Sequence, residues 1–348
     1  RIYRDKSENK TPYNLSNFVT LESNINYRSN QLIVDFLRKL RPNYIQQAVN
    51  NDSNLRPPLL IRFKGIADTS NRLQSALYAS KKKLNEMDWR FEGLFPAAIL
   101  FLTQKKRAEY LNFSNLENAF QYSDKNKLRE LEDPLVDFLV STLETSIEDF
   151  DKKKYAEVIN RFGFYDMTST TKELIYDIFV RLAKERRKFR VYDVLKIIFK
   201  LKAVSPLLKN LADFLNEDHK AGRDYYKKIY QIEYKEVYFF ANSLKDSSFV
   251  KTQHSSKGNQ FEKVLVVCTQ SNWPDFNFDN FFSNLDQRIN AESNISSPDL
   301  TRNLFYVSCS RAQKELAVLI DDSFSQRSIE NLEKLFNHNV IYLDPKEG

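Results

Sequence analysis

Two arginines far apart in the sequence have neighbours that suit phosphate chemistry, and the first of them is Arg28. It stands in the run Asn26-Tyr27-Arg28-Ser29, directly before an amphipathic stretch. An arginine held at the start of a helix presents a planar cation to a phosphate, and the tyrosine beside it presents a face for stacking. The alternative interpretation is structural, with Ser29 or Asn30 serving as the N-cap of the helix.

The second arginine, Arg311, lies at the end of a predicted helix over residues 298–312. Leu300, Leu304 and Val307 have the spacing of one helical face. A cation at the C-terminus of a helix can simply offset the helix dipole. The chemical alternative is an arginine finger, a rigid planar charge that stabilises a phosphoryl group while it is being transferred.

A polar loop follows the short apolar run that ends near Thr252. It brings a hydroxyl, an imidazole, an ammonium group and a glycine into close succession, through Thr252, His254, Lys257, Gly258 and Gln260. Open α/β sheets bind ligands at the carboxyl ends of their strands, so this loop is a candidate binding segment. A solvated turn is the structural alternative.

The elements around these segments alternate between strands and helices. Apolar runs predict strands, and a 3.6-residue periodicity predicts helices. The predicted strands cover residues 18–21, 59–63, 97–102, 249–252, 263–268, 315–320 and 340–343, and the predicted helices of the same regions cover 30–40, 71–83 and 298–312. Alternation of this kind favours an α/β layer architecture built on a parallel sheet.

A long helical block interrupts this alternation. Strand signals disappear between about residues 112 and 245, and the block ends in a tyrosine-rich stretch that is predicted as one helix over 222–244. Because the α/β pattern lies on both sides of the block, one discontinuous domain fits better than three domains in a row. The predicted domains are therefore an α/β domain of residues 1–111 and 246–348, and a helical insertion domain of residues 112–245.

Composition limits the classes of protein to which the chain can belong. The 348 residues, 42% hydrophobic and 28% charged, suffice for two globular domains. No apolar run is long enough to cross a bilayer, so we predict no membrane partner. Two cysteines cannot build a disulfide framework, which favours the cytoplasm. The net charge of +7 favours a polyanionic partner.

Taken in order, the three polar segments resemble motifs IV, V and VI of the UvrD/Rep/PcrA group of superfamily 1 DNA helicases. The matching runs are N-Y-R-S at residues 26–29, T-x-H-x-x-K-G at 252–258 and Y-V-x-x-S-R-A at 306–312. In that family the motifs lie on the second RecA-like motor domain, an α/β fold of the P-loop NTPase type with a parallel sheet. A mostly helical insertion separates the first motif from the second.

The resemblance covers nearly the whole chain, but only this second half of the motor. The run Ile2-Tyr3 looks like the tail of motif III, which predicts a fragment of a longer protein. The six glycines form neither a G-x-x-x-x-G-K-[ST] loop nor a G-x-G-x-x-G turn. A phosphate cradle is therefore expected on an N-terminal motor domain that this chain lacks.

The family's nucleotide is ATP with Mg²⁺, and the resemblance implies which residues of this chain contact it. Tyr27 packs against the adenine, while Arg28 and Arg311 reach the γ-phosphate. Gly258 and Gln260 complete the nucleotide site from motif V. Gln260 stands where the family has a glutamate that contacts the ribose, so ribose selectivity is the property this departure affects.

The resemblance also implies contacts with DNA, through Thr252, His254 and Lys257 beside the single strand. The expected activity is an ATP-dependent helicase or translocase that moves 3′ to 5′, with duplex junctions and a nuclease as further partners. The chain by itself is predicted to be inactive, because hydrolysis needs the missing motor domain.

Two surface features offer additional DNA contacts. The basic run 184–190 could bind phosphates or form a solvated face, and the aromatic run around Trp273 could stack bases or contact the missing motor domain. No glycine-containing duplex-binding motif is found in the helical block. A non-catalytic scaffold that binds DNA or a nuclease is the second functional hypothesis, and a helical protein-interaction module is the third.

Overall fold

The chain divides into two compact units in this computed structural model. It describes residues 24–49, 55–64, 72–93, 96–120, 126–165, 167–220, 224–245, 250–252, 259–270, 276–290 and 300–343. The first unit combines residues 1–107 with 249–348, and the second comprises residues 108–248. The predicted strand 18–21 lies outside the described residues.

A six-stranded parallel sheet forms the centre of the first unit. A separate parallel pair joins β1 (Ile25–Asn26) to β2 (Gln47–Ala48). The six strands are β3 (Leu59–Phe63), β4 (Ala98–Phe101), β5 (Val250–Thr252), β6 (Phe261–Val267), β7 (Ala312–Asp321) and β8 (Val340–Leu343), in the order β5-β4-β6-β7-β3-β8. Every described pairing within this sheet is parallel. The predicted α/β class is thus confirmed, and the sheet is compatible with a RecA-like fold.

Helices cover this sheet because their apolar faces match its buried strands. The first three are α1 (Gln31–Leu40), α2 (Arg72–Asn85) and α3 (Gln104–Tyr110). In α1, Ile33, Phe36, Leu37 and Leu40 are buried at helical spacing. All four residues of β4 are buried as well, as expected for a strand with helices on both faces.

The described part of the second unit is helical except for one isolated β-bridge. Its α-helices are α4 (Ser114–Ala119), α5 (Asn126–Arg129), α6 (Pro134–Asp137), α7 (Thr145–Asp151), α8 (Tyr155–Phe162), α9 (Ser169–Glu185), α10 (Val191–Ile198), α11 (Pro206–Lys220), α12 (Asp224–Gln231) and α13 (Tyr234–Leu244). A π-helix (Phe138–Glu144) joins α6 to α7, and 3₁₀ turns (Arg186–Lys188 and Phe199–Leu201) flank α10. Pro134 and Pro206 are the first residues of α6 and α11, where a missing backbone N–H costs no helical hydrogen bond.

The predicted single helix over residues 222–244 is wrong, because the chain breaks between α12 and α13. The isolated bridge pairs Arg190 with Glu233. In it, Val191 N donates to Ile232 O over 2.9 Å, and Tyr234 N donates to Phe189 O over 2.8 Å. These bonds to a distant segment replace two bonds that a continuous helix would have made. Periodicity could not reveal the break, since tyrosines occupy both helices.

An ion pair is buried inside the second unit. Arg186 Nε and Nη2 donate to the two carboxylate oxygens of Glu144 over 2.7 and 3.0 Å. Arg186 is only 7% exposed. Its burial contradicts the expectation that the whole basic run 184–190 is available to phosphates, and leaves Lys184, Arg187, Lys188 and Arg190 as the exposed cations of that run.

The last helices of the first unit are α14 (Phe278–Ser283), α15 (Leu285–Asn290), α16 (Leu300–Cys309) and α17 (Gln326–Leu335). Phe276, Phe278, Phe281 and Phe282, predicted as a base-stacking platform or a contact to another domain, are at most 4% exposed and belong to the core. Phe282 packs against Phe305 with ring centroids 5.1 Å apart. That prediction was wrong because α14 and the residue Phe276 before it turn these rings into the core. Trp273 lies outside the described residues.

None of the helices in the described ranges is both long and apolar enough to cross a membrane.

Candidate functional site

A short turn places Arg28 at the entrance to α1. Asn26 Oδ1 accepts hydrogen bonds from the backbone nitrogens of Arg28 and Ser29, each over 2.9 Å. Asn30 then caps α1, since its Oδ1 accepts from Ile33 N over 3.0 Å. The structural and the chemical interpretation of this motif are therefore compatible, because the cap fixes the backbone from which Arg28 extends.

The same turn is tied to the segment that carries Arg311. Ser29 Oγ donates to Ala312 O over 2.7 Å, and Asn30 N donates to Gln313 O over 2.9 Å. Arg28 Nη1 donates to Ser310 O over 3.4 Å. These bonds join the start of α1 to the junction between α16 and β7, so the two arginines are brought together.

Arg311 is a buried cation in an electropositive environment. Only 6% of its surface is exposed. Burial lowers its pKa, and the charge of Arg28 lowers that pKa further. Within the described ranges, neither guanidinium lies within 4 Å of a carboxylate, and the Nε atoms of both are buried without a hydrogen-bond partner. Two close, uncompensated cations of this kind are suited to bind an anion.

A cleft of about 580 Å³ opens beside Arg28. This volume suits a ligand of mononucleotide size. The polar and aromatic lining includes Tyr27, Arg28, Tyr44, Gln46, Gln260 and Tyr306. Tyr27 is 73% exposed, so its ring offers a free face to a flat ligand. Gln260 also lines the cleft and is exposed, so its amide can hydrogen-bond a hydroxyl.

The site lies at one edge of the sheet, and it is not the edge expected from the sequence. Gln260 and Arg311 immediately precede β6 and β7, at the amino ends of these strands. Thr252 ends β5, and because the strands are parallel its position is at the opposite, carboxyl edge. The structure thus brings Tyr27, Arg28, Gln260 and Arg311 together and leaves Thr252 apart from them. His254, Lys257 and Gly258 lie outside the described residues.

Arg41 is a further cation of the cleft that the sequence analysis did not single out. It follows the C-terminus of α1, where its guanidinium lies 4.7 Å from the centroid of the Tyr306 ring. Its Nη2 donates to Asn303 Oδ1. Sequence alone gives no means to separate Arg41 from Arg38, since both are cations near the end of the same helix. Arg38 is exposed and outside the cleft lining.

Comparison with known proteins adds one relationship to this geometry. The chain is distantly similar to the Gabija protein GajB. The relative comes from Bacillus cereus (strain HuB5-5) and is 23% identical over 349 residues, which cover 85% of this chain and 49% of the relative. The chain spans about half the length of the relative it matches. No family model matches. With the three ordered motifs, the similarity supports a distant helicase-like relationship.

Proposed function

We propose that this chain is the second motor half of a superfamily 1 DNA helicase or translocase, whose helical unit is the family's insertion domain. The observation that carries the proposal is the pair Arg28 and Arg311, held together without a carboxylate in the described part of the chain. Holding two like charges in place is unfavourable unless a ligand of opposite charge joins them. A phosphate group bound to the first motor half, which carries the phosphate cradle, would supply that charge.

The chemistry assigned to this chain is electrostatic. ATP with Mg²⁺ supplies the phosphoryl group, and the phosphate cradle lies outside these residues. Arg28 and Arg311 stabilise the negative charge that spreads over the transferred group. Tyr27 stacks on the base, and Gln260 hydrogen-bonds a ribose hydroxyl without a charge of its own.

The arginine pair also couples nucleotide turnover to movement. While the phosphate is in place, its attraction for two cations favours closure of one motor half on the other. After hydrolysis and phosphate release, the repulsion between Arg28 and Arg311 is no longer offset, and the closed state loses its advantage. Thr252, His254 and Lys257 are proposed to hold the single strand during this cycle, moving along it 3′ to 5′. The similarity to GajB favours a Gabija-associated role for this motor.

The division of labour between two motor halves is tested by measuring ATP hydrolysis. The 348-residue chain alone is expected to show no turnover with or without single-stranded DNA, because it has no phosphate-binding loop. Turnover should appear when the chain is part of a protein that carries such a loop. Hydrolysis by the chain alone would contradict the proposal.

A non-catalytic scaffold is the second candidate function, and Gln260 in place of a glutamate is the observation that favours it. The two candidates differ in their response to arginine removal. A non-catalytic scaffold hydrolyses no ATP and binds DNA with or without the two arginines, whereas a motor hydrolyses ATP and loses that turnover when Arg28 or Arg311 is removed.

Arg41 is expected to contribute to nucleotide binding rather than to the chemical step. Tyr306 and Asn303 already hold its guanidinium at the cleft, so little conformational entropy is lost when it meets a ligand. In the longer protein, Arg41→Met should raise the KM for ATP by about tenfold with kcat nearly unchanged, which is the signature of lost uniform binding. Arg38→Met is the matched control and should leave both constants unchanged.

If Arg41→Met and Arg38→Met changed the KM for ATP equally, Arg41 would have no specific role in nucleotide binding. A fall in kcat equal to that in kcat/KM would instead place Arg41 at the reacting phosphate.

A further inference from the structure

Tyr192 presents a half-exposed ring on the first turn of α10, in the second unit. Its exposed fraction is 54%. The ring meets Tyr230 of α12 edge-on, with centroids 6.2 Å apart and an interplanar angle of 61°. This contact supports the Tyr192 ring, about half of which stays exposed to solvent. A ring that is already held in place loses little freedom when a planar ligand stacks on it.

Cations border this ring along the same helix. Arg190 directly precedes α10, and its Nη1 donates to Gln231 Oε1 on α12. Lys196 lies four residues after Tyr192, which places both side chains on one helical stripe roughly 5–6 Å apart. Arg190 and Lys196 are both exposed. A fixed cation at the start of α10 and a second cation on the Tyr192 stripe therefore lie on either side of Tyr192 in the sequence.

Acidic neighbours do not neutralise these cations. Asp193 accepts a hydrogen bond from the backbone nitrogen of Arg190 over 3.3 Å, and Glu233 pairs with Lys235. As far as the described residues extend, no carboxylate lies within ion-pair distance of Arg190 or Lys196. The surface around Tyr192 consequently has an excess of positive charge.

A second tyrosine shows that exposure alone does not define such a surface. Tyr176 on α9 is 53% exposed, and its ring lies 5.5 Å from that of Phe150. Its exposed neighbours on the helix are Glu173 and Asp177 as well as Lys172. Tyr176 therefore matches Tyr192 in exposure and in aromatic support, but not in charge.

We propose that the α10–α12 face binds single-stranded nucleic acid, with a base stacked on Tyr192 and phosphates at Arg190 and Lys196. A stacking ring flanked by cations fits an unpaired strand, because the bases of a duplex are not accessible to its face. The proposal goes beyond the proposed function, which assigns the strand contacts to the first unit. It concerns the second unit only and does not depend on ATP.

The test compares two tyrosine variants of the 348-residue chain, using fluorescence anisotropy with a labelled oligothymidylate. Tyr192→Ala should weaken binding by about tenfold, the loss expected for one stacked base. Tyr176→Ala should bind like the parent chain, and Tyr192→Phe should retain most of the affinity. Thermal unfolding of each variant controls for loss of the fold.

Salt dependence tests the phosphate contacts separately. Lys196→Gln should reduce the slope of log Kobs against log salt by about 0.7, the value for one single-strand phosphate, and Lys172→Gln should leave the slope unchanged. Equal affinities for Tyr192→Ala and Tyr176→Ala, or an unchanged slope for Lys196→Gln, would overturn the proposal. A loss of affinity for duplex DNA without a loss of affinity for the single strand would also overturn it. The variant Lys257→Ala tests the strand contact of the first unit, so the two assignments can fail independently.

Discussion

Arg311→Ala, made in a protein that also carries the phosphate-binding half, is expected to lower ATP turnover by about 10³- to 10⁵-fold. The buried guanidinium supplies one of the two charges at the phosphate, and its replacement by Ala leaves Arg28 alone there. The measurement is steady-state ATP hydrolysis with saturating single-stranded DNA. Affinity for DNA should change little, because Arg311 lies at the opposite edge of the sheet from Thr252.

The variant Arg311→Ala also has an expected effect on protein stability. Arg311 has no acidic partner among the described residues, and Arg28 repels it. Removing it should therefore leave the free energy of unfolding unchanged or raise it, even as turnover is lost. Trp89, buried in the first unit, reports this transition by fluorescence. A loss of activity that accompanied a loss of stability would point to a structural role instead.

Arg28→Ala should reduce turnover in the same way, and the double variant should be no worse than the more damaging single one. Residues that act as a unit on one charge have non-additive effects. Arg38→Ala, on the helix that follows Arg28, is the matched control. Near-normal turnover by both Arg28→Ala and Arg311→Ala would exclude the arginine pair from the chemical step and overturn the motor assignment proposed here.

The largest expected effect on stability comes from Glu144→Ala in the second unit. Both side chains of the pair Glu144–Arg186 are only 8% exposed. Burial acts to lower the pKa of Arg186, and the hydrogen bonds and charge of Glu144 outweigh it, so that the pKa is raised. Without Glu144, the acceptors left to the guanidinium among the described residues are the backbone carbonyls of Leu182 and Ala183. The free energy of unfolding should fall by about 3–5 kcal/mol.

The matched control is a substitution at Glu148, about one helical turn after Glu144. Glu148 pairs with Lys152 and Lys245, but its side chain is 42% exposed, so Glu148→Ala should cost about 0–1 kcal/mol. Urea unfolding followed by far-ultraviolet circular dichroism measures the helical unit, while Trp89 fluorescence should show an unchanged transition in the first unit. The double variant with Met at positions 144 and 186 should recover most of the lost stability. If Glu144→Ala and Glu148→Ala lowered the free energy of unfolding equally, burial would not strengthen the pair Glu144–Arg186.

Local pattern predicted the strands well and the helical block less well. A run such as Ala98–Phe101 is apolar throughout because helices cover both faces of its sheet, and that pattern is visible without a partner. The break between α12 and α13 depends on hydrogen bonds to the segment around Arg190, far away in the sequence. Aromatic composition likewise could not distinguish a binding platform from a core, and Phe282 became core because α14 packs on α16 and α17.

The sequence by itself determined which residues could meet a phosphate and which segments form buried strands and capped helices, because both depend on residue type and short spacing. Three other features were decided only by the tertiary structure. Arg28 donates a hydrogen bond to a carbonyl 282 residues away. Arg41 lines the cleft, and Arg186 is buried rather than exposed. The tertiary structure also placed the arginine pair at the amino edge of the sheet rather than the carboxyl edge. The physical reason is that sheet order and helix packing, which no local pattern encodes, fix the distances between remote charges.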